Sequence, residues 1–236
     1  MKYLLYDLKY QINEIYTKSI NSIDYSEFKK TGFLVKRNFI SKEDCNNFIN
    51  QIDLNIKNGQ VSWADETMSD HRIFDFKSKD IFKSLNNLYQ KYISKKSCNK
   101  FIMANRLTYK KDNKGSGGGW HRDNLNRRQL KYMIYLNDVN EDNGAFEYIP
   151  NSHNNRSKFL TNGFSNHVYR YSSEEINHFY DNKSIKFSAE AGTLIIFDSS
   201  GLHRGSPVKK GVRYAFTQYM FDSSIPNHIK NLFVKN

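Results

Sequence analysis

Only two cysteines occur in the 236 residues. Neither Cys45 nor Cys98 stands in a CxxC or Cys/His spacing, which excludes a disulfide framework and argues against a thiolate zinc site. So little cysteine fits a reducing cytoplasm. No stretch approaches the roughly 18 consecutive apolar residues of a membrane-spanning helix. The start, Met1-Lys2-Tyr3-Leu4-Leu5-Tyr6-Asp7, has no apolar leader core before its first acid. The expectation is a cytoplasmic protein with no membrane partner. Nor is there a run of about five or six basic residues that would read as a nucleic-acid arm. The formal net charge is +12, and it favours anionic partners in general. Lysine is scattered along the chain, so a solvated basic surface is the better reading than a nucleic-acid footprint, which needs clustered basic residues.

What is present is a core. Hydrophobic residues make up 38% and aromatics 15%, with 17 Phe and 16 Tyr, enough to pack an interior. The length fits one domain over residues 1–236. Leu4, Leu5, Leu8, Ile12, Ile15 and Tyr16 recur at helical spacing, so one or two helices are expected over residues 1–30, with 1–24 as a helical extension. A short strand follows in Gly32–Ile40. Ser41 then reads as an N-cap before Glu43 and Asp44, with a helix running past Phe48 and Ile52. A second helical pattern covers residues 79–95. From residue 101 the texture changes to short β-rich runs at 101–110, 130–137, 144–149, 185–187, 193–198 and 212–221. Helices in front and a β-core over 101–221 predict an α+β fold built on a sandwich or closed barrel. The polar segments 111–120 and 150–180 read as loops, and loops that long are more often functional than mere links.

His121-Arg122-Asp123 follows the glycine-rich turn Gly115–Gly119. In an extended segment residues two apart share a face, so His121 and Asp123 can bring an imidazole and a carboxylate to one point, with Arg122 pointing away. His203, just after the run 193–198, can add a second imidazole. Two histidines and one carboxylate form the facial triad that leaves open positions on a non-haem Fe(II). Alone, the first pair reads better as a His and an Asp that solvate each other on a surface hairpin, and His203 as a strand-end histidine that satisfies a backbone carbonyl. Arg213 shifts the balance: an arginine inside the apolar run Val212–Thr217 needs an anionic partner, and its planar fork matches a carboxylate in two-point geometry. A structural ion pair with an internal acid such as Asp198 is the alternative.

These residues resemble the phytanoyl-CoA dioxygenase family of Fe(II)- and 2-oxoglutarate-dependent oxygenases, which includes ectoine hydroxylase. The likeness runs over residues 25–221. Tyr25–Val35 through Phe39–Asp44 is similar to the family's opening strand and helix, Leu136–His153 to its central Asn-Gly and Pro-Gly-Ser-His motif, and Ala191–Asp198 to the strand before its distal histidine. Two departures stand out. Asn151 takes the place of the motif's glycine, and Gly205, followed by Ser206, stands where many members have a Ser or Thr on 2-oxoglutarate. The resemblance implies a double-stranded β-helix, a jelly-roll or cupin-like barrel with the N-terminal helices packed on one sheet. It implies that His121, Asp123 and His203 hold the iron and Arg213 the 2-oxoglutarate, with O2 as the second co-substrate.

It also makes the strand Ala104–Lys110 a source of contacts. Arg106, Thr108 and Lys110 alternate onto one face, which nominates Thr108 for 2-oxoglutarate and Arg106 for the substrate. His71 has no matched role and reads as a surface loop. The expected substrate is a small molecule with a negative or strongly accepting group. Asp123 argues for hydroxylation, since halogenating relatives lack the carboxylate. A cupin-like metalloenzyme that does without 2-oxoglutarate would leave Arg213 unexplained, and a basic nucleic-acid-binding module would need basic residues interleaved with exposed aromatics.

Overall fold

The computed structural model describes residues 23–65, 69–78, 80–93, 98–163, 169–181 and 183–233. The extension expected over residues 1–24 lies almost wholly outside them. Helix α1 (Ile23–Thr31) leads into β1 (Phe33–Lys36). Helix α2 (Lys42–Lys57) starts where Ser41 predicts: the serine side chain accepts a hydrogen bond from the Asp44 amide and satisfies one of the free donors of the first turn. Strands β2 (Trp63–Ala64) and β3 (Asp70–Phe74) follow, then helix α3 (Asn86–Ile93) after a single 3-10 turn, shorter than the pattern 79–95 suggests.

The strands β4 (Asn99–Thr108), β5 (Leu130–Tyr135), β6 (Phe146–Tyr148), β7 (Ile185–Phe187), β8 (Leu194–Asp198), β9 (His203–Gly205) and β10 (Val212–Phe221) complete the β-core. Seven strands form one antiparallel sheet in the order β1-β8-β5-β10-β4-β3-β2, and three form a second in the order β7-β6-β9. Side-chain alternation then sorts residues between two interiors. From β5, Leu130, Tyr132 and Ile134 join Phe28 of α1, Phe48 and Ile52 of α2 and Tyr92 of α3, so the helices cover the outer face of the large sheet. Met133 and Tyr135 point the other way, against Phe146 and Tyr148 of the small sheet. This is the double-stranded β-helix, with helices on one sheet.

Two expectations are corrected. Segment 150–180 is not loop throughout: it carries α4 (Asn155–Asn162), capped by Asn154, and α5 (Ser173–Tyr180), which opens with a reciprocal capping box between Ser172 and Glu175. His71 is not on a surface loop but buried in β3, 5% exposed. Asn151 does take the left-handed conformation, φ 64°, that its place in the turn asks of it.

Candidate metal centre

The residues singled out by spacing come together at one end of the barrel. His121 and His203 exchange backbone hydrogen bonds in both directions, each 3.0 Å. The Asp123 amide donates to the Ser199 carbonyl at 2.9 Å. Asp123 Oδ1 lies 3.7 Å from His121 Nε2, and Oδ2 lies 3.8 Å from His203 Nε2. All three donor atoms fall within 4.8 Å of one another. Each imidazole meets a carbonyl two residues back through Nδ1, His121 to Gly119 at 2.8 Å and His203 to Gly201 at 3.0 Å. A neutral ring that donates from Nδ1 keeps its Nε2 lone pair for a ligand. Gly117 gives the first ring its space: at φ 88°, a Cβ there would stand 2.4 Å from His121 Cε1.

The electrostatics suit a divalent cation. Burial, reinforced by His121, pushes the His203 imidazole down to about 3, which keeps it neutral. Burial also lowers His121, against the pull of Asp123. For Asp123, burial opposes ionisation, but the Lys131 ammonium in contact with Oδ2 holds the carboxyl well below the usual carboxylate range. Two neutral imidazoles and one carboxylate are the donor set of a non-haem iron site. Lys131 itself is 4% exposed and sits 4.0 Å over the Tyr219 ring.

Arg122 turns away from the donors, as alternation requires, and is 1% exposed. It donates to the Ser152 and Ser200 carbonyls and reaches Ser157 and Thr161 of α4 and Tyr180 of α5. The two helices of segment 150–180 are thereby fastened to the residue between His121 and Asp123.

A cavity of about 210 Å³ runs from this centre into the barrel. Arg213, 3% exposed, also lines it. Its Nη1 donates to the Gly144 carbonyl at 2.5 Å, and its Nε has no partner. Asp198 is not its counter-ion: that carboxylate accepts from the Tyr92 hydroxyl and from the Gln129 and Ser200 amides. Among the described residues the guanidinium is thus buried with no carboxylate in contact, and burial lowers its pKa.

The expectations for β4 are overturned. Arg106 and Thr108 do not line the cavity; Met103 and Asn105, on the opposite face, do. Arg106 pairs with Asp53 of α2 at 2.9 Å, and Thr108 donates to the Ser69 carbonyl at 3.3 Å. Ser206 is also committed, to Glu147. Arg106→Ala should therefore act on stability alone, by about 0.2–1 kcal/mol for a partly exposed ion pair, or roughly 1–4 °C in melting temperature. A change of about tenfold in kcat/KM for the substrate would return Arg106 to the site.

The jelly-roll barrel with a His-Asp-His cluster at its mouth defines the class: a non-haem metalloenzyme with open coordination positions. The sequence profile of phytanoyl-CoA dioxygenase (PhyH) matches residues 28–212, and the chain belongs to that family. It is an Fe(II)- and 2-oxoglutarate-dependent oxygenase. Solved structures agree on the fold. EvdO2 from Micromonospora carbonacea var. aurantiaca superposes with a TM-score of 0.62 at 14% identity, over 90% of this chain and 96% of that one. The epimerase SnoN, in complex with Fe3+, alpha ketoglutarate and nogalamycin RO, gives 0.63 at 12%, over 88% and 87%. HygX from Streptomyces hygroscopicus, with nickel and 2-oxoglutarate bound, gives 0.57 at 14%, over 86% and 88%. No curated protein sequence matches the chain. Among the described residues no helix is long and apolar enough to cross a membrane.

Proposed function

We propose that His121, Asp123 and His203 hold one Fe(II), that Arg213 holds the far carboxylate of 2-oxoglutarate, and that the enzyme hydroxylates a small molecule carrying a negative or strongly accepting group. One observation carries this reading: three donor atoms converge in a cavity that is also lined by a buried guanidinium with no carboxylate in contact among the described residues. Bound iron would supply the chemistry of the class, in which 2-oxoglutarate and O2 give succinate and CO2 while one oxygen atom enters the substrate.

The chain's own residues supply position and dryness. Hydrogen bonds to Gly119 and Gly201 aim both imidazoles. Lys131 engages one carboxylate oxygen of Asp123. Met133, Phe146 and Phe197 make the wall apolar beside the donors. A neighbouring cavity of about 380 Å³ shares Asp123 and Tyr219 with the first and offers a way in for substrate. The burial of helix faces on the large sheet supports reading the chain as one domain. A small-molecule substrate is supported by HygX, solved with hygromycin B bound, and by SnoN with nogalamycin RO. SnoN is an epimerase and SnoK a carbocyclase, so product analysis must accompany any substrate found.

Anaerobic titration should show about one Fe(II) bound per chain, with 2-oxoglutarate binding dependent on the metal and a slow release of succinate in air without substrate. Folded protein that does neither would remove the proposal.

A further inference from the structure

We infer that Arg72 is an anion subsite for the substrate, separate from the Arg213 site for 2-oxoglutarate, and that it takes a carboxylate or phosphate oxyanion. The inference rests on the metal and 2-oxoglutarate reading above.

Register decides which side chains face the cavity. Leu107 lies opposite both Arg213 and Asp70, and Asn105 lies opposite both Ala215 and Arg72. Asp70, Arg72 and Phe74 therefore share the cavity side of β3, while Ile73 joins the core under the helices. Arg72 lines the cavity together with Asn105, Thr217 and Tyr219.

Its guanidinium is held in a fixed pose. Nε and Nη2 both donate to Asp70 Oδ2, at 3.0 and 2.6 Å. The Trp63 ring lies 4.5 Å from Cζ. The pair with Asp70 uses the side edge of the fork. The end edge, Nη1 and the second Nη2 hydrogen, makes no hydrogen bond among the described residues, and 21% of the side chain is open. A planar fork fixed on one edge and free on the other is preorganised for an oxyanion. Asn105, buried and directly opposite in the register, directs its amide nitrogen to Asp70 Oδ1 at 3.5 Å and braces the same pair.

Arg72 and Arg213 serve different anions. They stand two strands apart, roughly 10 Å across the sheet, and one pleat apart along it. Asp70 also keeps Arg72 at its own strand. The wall carries five cationic side chains, Arg72, Lys131, Arg170, Arg204 and Arg213, against the single carboxylate of Asp123. Pairing with Asp70 and Glu147 offsets two of them from outside the wall, and the balance still favours an anion over a cation.

Ligand-observed NMR on protein loaded with Mn(II) and saturating 2-oxoglutarate tests this, because the paramagnetic ion broadens the resonances of any molecule held near it. The probes are matched sets of short-chain carboxylates, phosphate monoesters and neutral amides. Oxyanions should be broadened well beyond their amides, and whichever class responds identifies the source. Arg72→Met should weaken their binding by about tenfold or more. Arg72→Lys, which keeps the charge and a stem over Trp63 but not the fork, should fall between. The inference is overturned by amides broadened as much as oxyanions, by Arg72→Met binding within about threefold of wild type, or by loss of 2-oxoglutarate affinity in Arg72→Met, which would place Arg72 in the co-substrate site. Wild-type protein that takes up neither Mn(II) nor 2-oxoglutarate would instead fail the underlying reading, and the inference with it.

Discussion

Arg213→Leu will weaken 2-oxoglutarate binding by about 30-fold to several thousand-fold, the equivalent of roughly 2–5 kcal/mol for truncating one member of a buried charge pair. Isothermal titration with the metal-loaded protein measures it directly. The same substitution should leave the fold as stable as before or more so. Among the described residues the buried Arg213 guanidinium has one carbonyl for a partner and an unsatisfied Nε, and removing a buried charge that the protein itself does not pair relieves a desolvation cost. Metal uptake should persist, because Arg213 touches none of the three donors. The combination is diagnostic. A structural ion-pair residue would show the reverse pattern, a lower melting temperature with 2-oxoglutarate affinity changed less than about threefold, and that result would remove Arg213 from the site.

Asp123→Ala should abolish turnover, and it should also cost stability, which a ligand at a solvent-open mouth would not. Lys131 is buried against this carboxylate, so the variant strands an ammonium. Breaking a buried pair costs about 3–5 kcal/mol, and the lower end applies here because Asp123's side chain is 22% exposed. At roughly 2–4 °C per kcal/mol for a chain of this size, the melting temperature of metal-free protein should drop by about 6–12 °C. Asp123→Ala combined with Lys131→Met should recover most of that loss without recovering metal binding. If the double variant melts as low as the single one, Lys131 is not what the carboxylate stabilises; if the single variant still binds Fe(II) and turns over, Asp123 is not a ligand.

Much of this was legible in the residues, and the failures have identifiable causes. Strands β7 and β10 fall on the predicted residues 185–187 and 212–221, because their apolar runs are bounded by turn residues. His121 and Asp123 could be paired from their two-residue spacing once His203 and Arg213 made a site of it. The inward face of β4 could not be read. Arg106, Thr108 and Lys110 look like the polar, ligand-facing set, but both faces of this strand are covered, and Asp53 of α2 gives Arg106 a partner on the helix side. Pairing with β10 sets which face looks into the barrel, and a shift of one residue would exchange them. Asp70-His71-Arg72-Ile73-Phe74 has no alternation to mark it as a strand, which hid both His71 and Arg72. Two signals were present and unused. Asn154 and Ser172-x-x-Glu175 announce the helices α4 and α5, and Lys131, set in Leu-Lys-Tyr-Met-Ile-Tyr, is as out of place in an apolar strand as Arg213.

The paired backbone hydrogen bonds between His121 and His203 bear on how the centre is assembled. Segments far apart in sequence are joined there by main-chain bonds in which no metal takes part, and the Nδ1 contacts orient both rings. Little conformational entropy remains to be lost when a metal binds, in contrast to small zinc modules whose ligands gather only around the ion. The main-chain pairing, rather than the ion, is what gathers the ligands.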